Sequence, residues 1–218
     1  LVINNAKIET EETNTPPTSF MMTGENGTAG GCVDGMDNDG DGLVDCADAD
    51  CFCECNTVEQ DSANLIINPS AEQNVSSGGW QMVQGSWTTR GFNPVPQDGG
   101  AYFYPLDSEL GQLTQVIDLS ADSAAIAAGL VTYTFMGYVR SFDQEPSDET
   151  QILVEYRNAA DSILASYDSG LVTSLTDWQL VGDTTVAPVG TKTAIINLIA
   201  RRKNGTNNDA FFDNLSLT

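Results

Sequence analysis

Val131-Thr132-Tyr133-Thr134-Phe135-Met136-Gly137-Tyr138-Val139-Arg140 is the stretch that decides the fold. In an extended chain, successive side chains point to opposite faces. Tyr133, Phe135, Gly137 and Val139 therefore share one face, while Thr132, Thr134 and Met136 share the other. Such alternation is what a sheet with one buried and one solvated face requires.

Working outward, similar runs recur at Leu65–Ile67, Trp80–Thr89, Ala101–Tyr104 and Gln112–Leu119, and again at Gln151–Arg157 and Ser162–Tyr167. Trp178–Val186, Thr193–Arg201 and Phe211–Leu217 complete the series. Gly, Asn, Asp, Pro and Ser separate them, and these are turn formers. The one helical candidate is Ala121–Ala128, a turn or two. The expectation is an all-β chain whose main body, residues 63–218, is a β-sandwich of jelly-roll type.

Ahead of the sandwich the texture is different. Leu1–Ile8 is an apolar, strand-like segment, followed by a Thr-, Glu-, Pro- and Gly-rich stretch with Pro16-Pro17 inside it. Residues 1–31 read as a strand plus an extended arm. Residues 32–62 hold all five cysteines and an Asp-rich loop. Asp37, Asp39 and Asp41 take the first, third and fifth positions of an EF-hand-type calcium loop. Gly42 provides the sharp turn, Leu43 offers a backbone carbonyl, Asp45 follows and Asp48 closes the loop, with Asp34 and Asp50 flanking it. A solvated acidic turn is the plain alternative, but carboxylates this dense repel one another unless a cation holds them. Zinc fits less well: the chain lacks histidine, Cys46, Cys51, Cys53 and Cys55 form no C-x-x-C pair, and hard oxygen ligands select calcium.

Cys32, Cys46, Cys51, Cys53 and Cys55 read as a local disulfide staple, which places the chain in an oxidising, extracellular or cell-surface setting. Their odd number leaves at least one thiol free or paired with another chain. The net charge of −23 repels nucleic acid and anionic membrane. No apolar run is long enough for a membrane span.

Asn64-Leu65-Ile66-Ile67-Asn68-Pro69-Ser70-Ala71-Glu72, then Gly79-Trp80, resembles the opening of the jelly-roll carbohydrate-binding modules found beside xylanases and cellulases. The Val131–Arg140 run is similar to their long central strand. Asp177-Trp178-Gln179 and the ending Ala210-Phe211-Phe212-Asp213-Asn214-Leu215-Ser216-Leu217 fit the same pattern. The resemblance implies a structural calcium where the first and last strands meet, with Glu72 and Asp213 as side-chain ligands. It also implies glycan binding, and Trp87, Tyr102, Tyr104 and Tyr138 are the candidates for stacking on sugar rings. The Asp-rich loop separately resembles thrombospondin type 3 calcium repeats and the Cys-flanked DNDGDG motifs of bacterial surface proteins.

Enzyme chemistry finds little support. A chain without histidine has no Ser-His-Asp or Cys-His nucleophile, and no G-x-S-x-G or phosphate-loop motif occurs. Two functional readings follow. The first is a calcium-binding, non-catalytic structural subunit that self-associates outside the cell. In it Leu1, Val2, Ile3, Ala6 and Ile8 would add a strand to a neighbour's open sheet edge, as in a filament built by donor-strand exchange. The plain alternative for that segment is a first strand of its own sandwich. The second reading is a carbohydrate-binding or adhesion module with a polysaccharide ligand.

Overall fold

The computed structural model describes residues 63–218 and, ahead of them, only two short antiparallel strands, β1 (Thr23–Gly24) and β2 (Thr28–Ala29). The chain divides into two units, Leu1–Asp61 and Ser62–Thr218, and the rest of this description concerns the second.

That unit is a sandwich of two antiparallel sheets. Its strands are β3 (Gln81–Gln84), β4 (Thr88–Arg90), β5 (Tyr102–Tyr104), β6 (Leu110–Asp118) and β7 (Thr132–Ser141). The chain continues through β8 (Glu149–Asn158), β9 (Ile163–Asp168), β10 (Gln179–Val186), β11 (Thr191–Arg201) and β12 (Ala210–Leu217). One sheet runs β10-β7-β12-β5-β4 and the other β3-β6-β11-β8-β9. Sequential strands mostly fall in different sheets or at non-adjacent positions, which is the jelly-roll way of leaving few free edges.

The alternation in the central run holds along β7: Tyr133, Phe135, Gly137 and Val139 are buried, while Thr132 and Met136 are exposed. Gly137 is there for space. A Cβ at this position would lie 2.7 Å from Leu215 Cδ2 on the neighbouring β12 and 3.2 Å from Ile152 Cδ1 on the facing sheet, so any larger residue would have to displace these side-chain ends. The inner faces meet in one large cluster that includes Trp80, Trp87, Phe103, Leu113, Ile152, Ile196, Leu198 and Phe212. Trp80 stands edge-on to Phe103 at 5.1 Å, and Trp87 tilts against Phe212 at 6.0 Å. Each such side chain contributes roughly 1.5–3 kcal/mol by leaving water.

Three expected elements differ in detail. Trp80–Thr89 is two strands, because Gly85 turns the chain at φ 72° and Ser86 N–H donates to Ser108 Oγ at 2.8 Å. Leu65–Ile67 is not a strand. It is held instead by Leu65 N–H on Leu217 O (2.9 Å) and by the Gln115 side-chain amide, which bridges Ile67 N and O at 2.8 and 2.9 Å. The helical candidate is a 3-10 turn, Ser120–Asp122, leading into α1 (Ser123–Ala127), and only Ile126 of α1 is buried. No helix among the described residues is long and apolar enough to cross a membrane.

Asn64 ties the start of the sandwich to its end. Its Nδ2 donates to Leu215 O (2.8 Å), and its Oδ1 accepts from Leu217 N (3.1 Å) and Ile66 N (3.0 Å). Only an asparagine or glutamine side chain offers a donor and an acceptor in one plane for this task.

Candidate functional site

The two outer faces of the sandwich are built differently. On the β10-β7-β12-β5-β4 sheet, Phe103, Phe212 and Val139 pair across strands and point inward, so Tyr102, Tyr104, Phe211 and Arg140 point outward. Outward does not mean wet here. Tyr102 and Phe211 are 0% exposed and Tyr104 is 8% exposed. They form a second aromatic cluster with Trp178 on the far side of the sheet from the main core. Phe211 lies 5.0 Å from Tyr102 and 6.0 Å from Tyr104, and Trp178 stands edge-on to Tyr102 at 5.7 Å.

The segment 91–98 supplies the cover. Tyr102 OH donates to Phe92 O and Asn93 O, both at 3.0 Å, and Trp178 Nε1 donates to Val95 O at 2.9 Å. Arg90 lies between the rings of Phe92 (4.7 Å) and Tyr104 (5.0 Å), a cation held on two π-faces. Burial raises the hydroxyl pKa of both Tyr102 and Tyr104. It also raises the carboxyl pKa of Asp209, with the neighbouring Asp148 carboxylate adding to the effect.

This arrangement corrects the expected sugar contacts. Trp87 belongs to the main core at 4% exposure, and Tyr102 and Tyr104 belong to the covered cluster, so none of the three offers a free ring face. Tyr138 is half-buried and points outward between Leu180 and Asp213 on the adjacent strands.

The β3-β6-β11-β8-β9 sheet carries no such cover among the described residues. Its outward residues pair in rows: Gln84, Gln112, Ile199 and Gln151 form one, and Gln81, Thr114, Asn197, Leu153 and Asp168 form the next. The polar members are wired together. Asn197 Oδ1 accepts from Gln112 Nε2 (3.0 Å) and Thr114 Oγ1 (2.7 Å). Arg201 donates to Gln151 Oε1 (2.9 Å), and Gln151 Nε2 donates to Asp168 Oδ1 (2.7 Å). All four residues of β3 at the edge are exposed. Within this ladder of amides and hydroxyls Thr114 and Asn197 are themselves buried, at 7% and 6% exposure, so the groups that can meet a polar ligand are the half-buried Gln112 and Gln151 and the exposed β3 residues. Sequence reading passed over Gln112, Asn197 and Gln151. Their signal was present, as polar residues in the outward phase of otherwise apolar strand runs.

A third feature is the turn 97–101, which gathers acidic side chains. Asp213 is 0% exposed and accepts from Gln97 N (2.7 Å), Asp98 N (3.2 Å) and Asn214 N (2.8 Å). Glu72 Oε1 accepts from Gly100 N (2.6 Å) and Ala101 N (3.0 Å), and Ser70 Oγ donates to Asp98 Oδ2 (2.9 Å). Gly99, at φ 61°, has no room for a Cβ beside the Glu72 carboxylate. Burial pushes the Asp213 carboxyl up to about 7 despite three N–H donors, and the Asp98 charge adds to the rise. None of the three carboxylates forms an ion pair among the described residues. Of the three only Asp213 is buried, while Glu72 and Asp98 are exposed; carboxylate oxygens are the donor chemistry calcium accepts. The geometry is looser than the family resemblance implies. Glu72 and Asp213 grip the same turn, but among the described residues no three acidic or cysteine side chains converge on one point.

The Asp34–Asp50 loop, the five cysteines and the Leu1–Ile8 segment lie outside the described residues.

Comparison with known proteins follows the fold. No family model matches the chain, and no curated protein matches it. Solved structures do. A family 61 carbohydrate-binding module, solved in complex with β-1,4-galactotriose, superposes with a TM-score of 0.52 at 16% identity, covering 72% of this chain and 99% of that one. A family 16 carbohydrate-binding module gives 0.51 at 18% identity, covering 71% and 99%. The enzymatically active domain of tailspike protein 4 from bacteriophage CBA120 gives 0.52 at 16% identity over 71% of this chain, which spans 21% of that domain's length. The described residues thus adopt the jelly-roll sandwich of carbohydrate-binding-module type.

Proposed function

We propose that the sandwich is a non-catalytic polysaccharide-binding module, and that its ligand lies across the open β3-β6-β11-β8-β9 face. The observation that carries this reading is the pair of half-buried amides Gln112 and Gln151, fixed by the buried Asn197 and by Arg201, on a sheet face that no other described segment covers. Sugars present rows of hydroxyls that both donate and accept, and planar amides answer both at once. The similarity to two modules of this class supports the same reading. It favours glycan binding over the self-associating subunit, whose strand donor, Leu1–Ile8, lies outside the described residues.

Aromatic stacking contributes little on this face, because its outward rows are amide, hydroxyl, aliphatic and charged. Affinity then rests on hydrogen bonds that replace bound water, each of modest net worth, about 0.5–1.5 kcal/mol. Calorimetric titration with a panel of plant and algal polysaccharides tests the reading. Binding that is lost in Gln112→Ala supports it. Absence of heat across the panel, or binding untouched by that substitution, refutes it.

Calcium belongs to the same proposal. Asp37, Asp39, Asp41, Leu43, Asp45 and Asp48 would hold one ion in the loop, with Asp34 and Asp50 beside it. Glu72 and Asp213 would help hold another at the 97–101 turn. An ion bound only by the folded chain raises its melting temperature by mass action. An unchanged melt after chelation counts against both sites. The disulfide staple and an extracellular location complete the reading, and a thiol count on the unfolded chain tests the staple.

A further inference from the structure

We propose that the glycan bound by this module is acidic: a largely neutral polysaccharide carrying sparse carboxylate or sulfate groups, one of which is received in a basic groove at the end of the amide ladder. This rests on the polysaccharide reading above and adds the charge of the ligand. The groove, about 480 Å3, is lined by Gln84, Glu109, Leu110, Arg201, Arg202 and Lys203. Three of the chain's eight basic residues are consecutive here, in a molecule of net charge −23.

The partners of these cations are few. Arg201 donates to the neutral Gln151 amide at 2.9 Å and forms no ion pair among the described residues. Arg202 is anchored by Asp107 O (2.6 Å) and Thr206 O (2.8 Å), both backbone carbonyls. Lys203 alone has a carboxylate partner, Glu149 at 3.3 Å, and its side chain is 43% exposed. Each guanidinium carries five N–H donors and uses only one or two of them, so a fork remains for a bidentate oxyanion. Two adjacent guanidiniums in one groove, neither paired with a carboxylate among the described residues, offer an anion a place to bind.

Position connects the groove to the ladder. Arg201 pairs across strands with Leu110 and Glu149, one row from Gln112, Ile199 and Gln151, and its own bond to Gln151 links the two regions. A chain lying on the amides reaches the groove within one strand row. Glu109, also in the lining, excludes a dense polyanion and accepts from a neighbouring sugar hydroxyl. The net charge of −23 acts in the same direction, repelling a heavily charged polymer while tolerating isolated charges.

The test compares β-1,4-xylan and β-1,4-galactan oligosaccharides in three forms: unmodified, bearing one uronic acid, and bearing one sulfate. Affinities are measured calorimetrically on the full chain, with Arg202→Gln and the surface substitution Lys203→Gln. One anionic group should tighten binding about tenfold, and either substitution should remove most of that gain without changing affinity for the neutral form. A gain from uronic acid alone or from sulfate alone supports the proposal and identifies the anion. If Arg202→Gln fails to fold, Lys203→Gln still decides. Equal affinity for neutral and acidic forms overturns this inference and leaves the polysaccharide reading standing. Absence of binding to every member overturns both.

Discussion

The sandwich has two outer faces, and they met different fates. On the β10-β7-β12-β5-β4 sheet, Tyr102, Tyr104 and Phe211 point away from the core and are nonetheless dry, because the 91–98 segment lies over them. On the β3-β6-β11-β8-β9 sheet, Gln112, Thr114, Asn197 and Gln151 point outward and form a polar ladder. A sheet face does not become a binding surface by facing outward. It does so when no other segment of the chain is folded over it. The covered face is a second small core, and the open face is where recognition has room.

The sharpest way to break this comparison is Phe211→Ala. If the covered cluster is a true core, the loss should be about 3–5 kcal/mol in denaturant unfolding, as for a central phenylalanine. A loss below about 1 kcal/mol would make the cover an ornament.

A pH experiment on the chelated protein comes next. The Asp213 carboxyl is raised to about 7 by burial, so folding favours its protonated form. A raised folded value means that this group's contribution is complete below the ordinary carboxylate range and is lost as pH rises through 7. The chelated protein should therefore lose about 2–4 kcal/mol between pH 4 and 8, an upper bound for a single site. Calcium should cancel that loss if Asp213 meets the ion. A flat profile in chelator would show that the turn is better solvated than its burial implies.

Gln112→Ala tests the open face. Glycan affinity should fall about tenfold, or 1.4 kcal/mol, while stability changes by less. The reverse, a stability loss without an affinity loss, would make the ladder a structural device. The smallest effect belongs to the rim of the cover. Phe92 is 69% exposed and contributes one face to Arg90, so Phe92→Ala should cost about 0.5–1 kcal/mol by thermal melt. A larger loss would mean that the segment is held by this side chain rather than by its backbone carbonyls.

Much of the fold was legible because strand alternation is local. The phase of Tyr133, Phe135, Gly137 and Val139 could be read directly, and it is the phase that is buried. The limits of such reading lie at Gly85, where one apparent run became β3 and β4, and at Leu65–Ile67, whose partner is a glutamine side chain rather than a strand. The site was less legible. Tyr102 and Tyr104 read as candidates for sugar contact, but the sequence could not reveal their cover, since residues 91–98 carry turn formers without periodicity. Trp87 looked available for sugar and proved to be core, because its partner Phe212 lies 125 residues away in the chain, a pairing that only assembly of the two sheets creates.

What the sequence by itself determined was the all-β class, the jelly-roll type and the buried phase of the central strand. These follow from local steric preference and from the period at which apolar residues recur. What only the tertiary structure decided was which outward face stays open, that Asp213 is buried beneath the 97–101 turn, and that Arg201, Arg202 and Lys203 stand at the end of the amide ladder. Those outcomes depend on residues far apart in the chain meeting across strands, and no local pattern encodes such a meeting.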